Sequence, residues 1–84
     1  MKNVRAILAQ LHKELQRAED VDIEAREILQ DLHRDVEQLE GADSAKIESI
    51  ADRAKALESR FAAKHPVLEQ SARELADAIA KMGI

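Results

Sequence analysis

The sequence predicts an all-α protein: four short antiparallel helices, arranged as two helical hairpins that form a bundle. Three observations predict it. Apolar residues recur in steps of three and four along almost the whole chain, which puts them on one face of each helix. The two glycines and the proline stand between or after these stripes, where helices stop and start. No stretch alternates apolar and polar residues over the length of a strand.

The first stripe is Val4, Leu8, Leu11, Leu15 and Ala18, with Asn3 placed to cap a helix over roughly residues 4–18. The second is Ala25, Leu29, Leu32, Val36 and Leu39, a helix over roughly 23–40. Asp20 and Asp22 offer caps before it, and Val21 is placed to pack back on it. Gly41 ends that helix, and Asp43 or Ser44 caps the next. The third stripe is Ile47, Ile50, Ala54, Leu57 and Phe61, within a helix over roughly 45–63. Pro66 lacks an N–H and fits the first turn of a fourth helix, over roughly 66–82. Leu68, Ala72, Leu75, Ile79 and Met82 form its stripe, and Gly83 can close it.

The breaks are short, so consecutive helices pack antiparallel. In the first hairpin Lys2 and Arg5 then fall near Glu37 and Glu40. In the second, Arg60 falls level with Glu69, Lys55 with Glu74 and Glu48 with Lys81. Ile7-Leu8-Ala9-Gln10-Leu11-His12 is echoed 21 residues later by Ile28-Leu29-Gln30-Asp31-Leu32-His33, as expected of two helices built for the same packing.

With 84 residues the chain is a single helical domain, residues 1–84. So small a domain buries only about 60–65% of the surface its unfolded chain exposes. The core is either closed within one bundle or completed by dimerisation, in the limit as two hairpin arms that fold only together. Ile7, Ile23 and Ile28 lie at the edges of their stripes. They widen the core of a monomer or form the interface of a homodimer. Alanine is dense in the second half of the chain, which permits close helix approach within or between chains.

Composition excludes several functions. There is no cysteine, so disulfide scaffolds, thiolate metal sites and cysteine nucleophiles are ruled out, and a reducing, cytoplasmic location is expected. No apolar run approaches the ~20 residues of a membrane span. Two glycines cannot build a phosphate-cradling loop. A net charge of −4 with one aromatic residue, Phe61, argues against a nucleic-acid partner. These absences point away from an enzyme and from any cofactor, and toward a small interaction or structural module that self-associates or binds another protein.

Two alternatives rest on particular residues. Residues 1–42 carry six basic and ten acidic groups, with the acidity concentrated between Glu19 and Glu40. Residues 19–40 could therefore dock on a basic protein surface. His12 and His33 flank their stripes and approach each other in an antiparallel hairpin. Completed by Glu or Asp, such a pair binds zinc or another transition metal, though the chain has no His-x-x-x-His ligand spacing and no Glu-x-x-His. His65 and Pro66 mark the junction between the third and fourth helices, where His65 helps to fix the turn.

The C-terminal segment carries a Phe, then His-Pro four residues on, then a helix ending in Gly-Ile: Phe61, His65-Pro66 and Gly83-Ile84. With the Leu-rich first helix and the acidic start of the second (Asp22-Ile23-Glu24-Ala25-Arg26), it resembles a family of short uncharacterised bacterial proteins classed as a domain of unknown function. The resemblance implies a small helical fold and a bacterial source, and brings no activity with it.

Overall fold

The computed structural model describes residues 4–19 and 21–82. Lys2, Asn3, Asp20, Gly83 and Ile84, to which the sequence assigned a charge pair, caps and part of the C-terminal motif, lie outside them. The described residues form four helices and no strand: α1 (Val4–Arg17), α2 (Ile23–Glu37), α3 (Ser44–Phe61) and α4 (Pro66–Met82).

The helix starts follow from side-chain chemistry. Asp22 has an extended backbone, and its carboxylate accepts a 2.6 Å hydrogen bond from the Ala25 N–H. Asp43 does the same for Lys46 at 2.8 Å. Each satisfies one of the donors that a helix start leaves without a partner. Val21 packs against the core beside its cap.

The helix ends come sooner than the stripes suggest. α2 stops at Glu37 rather than Glu40, because the Gln38 and Leu39 N–H groups turn back to Asp35 and Val36, three residues earlier. Gly41 then takes a φ of +85° inside a turn closed by Ala42 N–H to Leu39 C=O. That is the turn position where a positive φ favours glycine. α3 ends at Phe61, and the Lys64 and His65 N–H groups both return to the Phe61 carbonyl.

The four helices close a ring: α1 on α2, α2 on α3, α3 on α4, and α4 back on α1. The α3–α4 pair is the most extensive contact and α1–α2 the least. α1 and α3, like α2 and α4, stand diagonally, and their backbones do not come close among the described residues. The strength of α3–α4 has a local cause. Ala51, Ala54, Ala72 and Ala76 are all buried, and a methyl side chain lets two backbones approach closely.

The core is apolar throughout and takes side chains from every helix. Leu11, Leu32, Leu57, Phe61, Leu75 and Ile79 are its largest fully buried members, and no polar or charged residue is buried among those described. Ile7 belongs to this core at 5% exposure, since α1 faces both α2 and α4 and needs a wider stripe than one neighbour requires. Met82, on the α4 stripe, is instead exposed, at the last turn of its helix.

The charge pairs correct the register-based expectation for Arg60. Its guanidinium turns away from α4 to Glu24, and to Asp22 at 3.7 Å, at the start of α2. Glu69 is engaged by Arg73 of its own helix at 3.8 Å, and Arg73 also reaches Glu58 on α3 at 3.2 Å. Level along a hairpin is legible from sequence. Rotation about the helix axis is not, and rotation points Arg60 at α2.

Candidate functional site

His12 and His33 come together as the hairpin reading expects. Their ring centroids lie 5.1 Å apart, edge to face at 85°, within the range of favourable ring contacts. α1 supplies His12 one residue past Leu11, and α2 supplies His33 one past Leu32, so each ring sits where core meets solvent. The Gln16 amide, one turn along α1, donates to Nε2 of His12 at 3.1 Å. His33 is more enclosed, and its Nε2 is buried without a hydrogen-bond partner.

Electrostatics follow from this placement. Burial holds His33 below the ordinary histidine value of 6.5, and His12 pushes the same way. Glu37, one turn along α2, opposes both. The arrangement favours the neutral form of the His33 ring. Zinc sites require three or four protein ligands. Among the described residues no group of three His, Cys, Asp or Glu side chains is placed to hold a metal ion. The described residues thus bring two imidazole rings together here without a third ligand placed beside them.

His65 acts in the α3–α4 turn. Its carbonyl accepts from the Glu69 N–H at 2.8 Å, opening α4, and its own N–H donates to the Phe61 carbonyl at 2.9 Å. Its ring stands edge-on to Phe61 with centroids 6.0 Å apart. Pro66 follows as the first helical residue, where its missing N–H costs nothing.

The acidic stretch is partly answered within the chain. Asp35 pairs with Arg53 of α3, and Glu24 and Asp22 pair with Arg60. The three candidate interface isoleucines separate. Ile7 is core, Ile28 is half-buried against the core, and Ile23 is 73% exposed.

A feature that the sequence reading missed lies between α1 and α4. An open groove there is lined by Ile7 and Glu14 from one helix and by Val67, Ser71 and Glu74 from the other. Ser71 bridges it with a hydrogen bond to Glu14. Val67 is 65% exposed. The signal was present in part, because Val67 is a large apolar residue standing off the α4 stripe. Among the described residues no helix is long and apolar enough to cross a membrane.

The profile of a family described as "Domain of unknown function (DUF4404)" matches residues 4–84. No curated protein and no solved structure matches the chain.

Proposed function

The chain therefore belongs to that family of unknown function, and we propose that it serves as a small non-enzymatic helical interaction module that associates with a second copy of itself. The observation that carries this reading is the placement of the two most exposed of the three exposed large apolar residues among those described, the third being Met82 at the far end of α4. The bundle sequesters apolar side chains from all four helices, yet Ile23 and Val67 remain 73% and 65% exposed. Both stand at helix starts, α2 and α4 run in the same direction, and so the two residues share one end of the bundle. Val67 also borders the open α1–α4 groove. Since one chain already holds a closed core, association joins folded monomers and is reversible. The absence of cysteine supports a cytoplasmic setting. The acidic balance supports a protein partner over a nucleic acid.

Docking of residues 19–40 on a basic partner has less support, because Arg53 and Arg60 already answer three of the acids there. A metal-binding bundle built on His12 and His33 has less still, for want of a third ligand.

Light scattering coupled to size-exclusion chromatography over a concentration series tests the reading. The expected mass rises with concentration from 9.4 kDa toward twice that value, and Val67→Glu or Ile23→Glu holds it at the monomer. A monomer at every concentration overturns self-association. A dimer that both substitutions leave intact overturns the assignment of this face.

A further inference from the structure

We propose that the His12–His33 contact is a pH-operated latch on the α1–α2 seam, closed while the His33 ring is neutral and released when it takes up a proton. The latch lies where it has most leverage. α1–α2 is the least extensive of the four helix contacts, so a change at one ring pair there acts against the weakest seam of the ring. The rings meet edge to face across that seam at 5.1 Å. Nε2 of His33 is enclosed with no acceptor in reach. A proton there creates an N–H with nothing to receive it, beside a second imidazole. Opening the seam supplies water to that N–H.

The surrounding charges do not cancel this. From α1, His12 faces His33, and its partner Gln16 is uncharged. On α2 itself, Glu37 favours the protonated ring, but it is exposed and screened by solvent. From α3, Arg53 reaches this stretch of α2 and is taken by Asp35. α4 stands across the diagonal from α2, and their backbones do not approach among the described residues. The sign follows from linkage. His33 binds its proton less readily in the closed bundle than at the ordinary value of 6.5. The open form therefore takes up more protons as pH falls. The contribution of the closed seam is complete above about 6.5 and drains away below it.

The test is amide hydrogen exchange on the full chain at pH 7.5 and 5.5, with rates corrected for intrinsic pH dependence. Protection in α1 and α2 is expected to fall relative to α3 and α4, by up to about tenfold per pH unit for one linked proton. His33→Gln should abolish the difference, His12→Gln should weaken it, and His65→Gln should leave it. His12 is the more exposed ring, so its variant decides the matter should His33→Gln fail to fold. Parallel loss in all four helices, no loss, or an acid response that survives undiminished in the His12 and His33 variants overturns the latch.

Discussion

Ser71 on α4 donates a 2.7 Å hydrogen bond to Oε1 of Glu14 on α1. The two residues are 57 positions apart, and their bond ties the first helix to the last. Both side chains are half-buried, so neither is fully satisfied by water. The bond closes the ring of helices on the side where no short turn does so.

Removing the Ser71 hydroxyl should therefore weaken the α1–α4 contact. Ser71→Ala is expected to cost about 1 kcal/mol, toward the middle of the range for one hydrogen bond, since partial exposure lets water replace the serine. For a domain of this size that is a fall in Tm of roughly 4–8 °C. Urea melts of Ser71→Ala, Glu14→Ala and the double variant give the coupling. A double variant whose loss equals the sum of the singles would show that the bond contributes nothing.

Gly41 is held by conformation and not by space. Its φ is +85°, and a Cβ built there meets no heavy atom within 4 Å. Gly41→Ala should cost about 1–2 kcal/mol from backbone strain alone, and Gly41→Asn should cost less, because asparagine tolerates the left-handed region. Thermal melts followed by circular dichroism distinguish the two. Equal, negligible losses would mean that the α2–α3 turn relaxes to a negative φ.

Asp22 has two roles that one pair of substitutions separates. Its carboxylate caps α2 through the Ala25 N–H at 2.6 Å and lies 3.7 Å from the Arg60 guanidinium. Asp22→Asn keeps a capping oxygen and loses only an exposed ion pair, so it should change stability by less than about 0.5 kcal/mol. Asp22→Ala loses the cap and should cost about 1 kcal/mol. Equal losses in the two variants would assign the stability to charge.

The stripe positions show what a sequence can and cannot reveal about this bundle. Leu11, Leu32, Leu57 and Leu75 were legible as core because helical spacing fixes which face is apolar. Asp22, Asp43 and Pro66 were legible as helix starts because their chemistry acts within one turn of chain. The approach of His12 to His33 followed from antiparallel register. The unpartnered Nε2 of His33 did not, because it depends on how each ring turns in its pocket. Arg60 was assigned to the wrong neighbour for the same kind of reason, since rotation about a helix axis leaves no trace in spacing. Ile7 was read as an edge residue because the second neighbour of α1 is α4, which a hairpin argument confined to adjacent helices does not supply. The Ser71–Glu14 bond and its groove were invisible on the same ground.

Phe61 gives the sharpest test of where the stability resides. It is the sole Phe, Trp or Tyr in the sequence, is 1% exposed, and meets the His65 ring at a right angle. A chain of this length has a total stability of roughly 4–13 kcal/mol at 0.05–0.15 kcal/mol per residue. Phe61→Ala opens a cavity among fully buried side chains and should cost about 3–5 kcal/mol, which brings the bundle to the edge of unfolding if its stability lies at the low end of that range. Phe61→Leu fills most of that volume and should cost less than half as much. Val67→Ala removes apolar atoms from an exposed site and should stay within about 0.5 kcal/mol. Melts at low protein concentration put the three on one scale. A Val67→Ala loss as large as that of Phe61→Leu would mean that the α1–α4 face is buried even in the dilute protein, and the monomer would no longer hold a complete core.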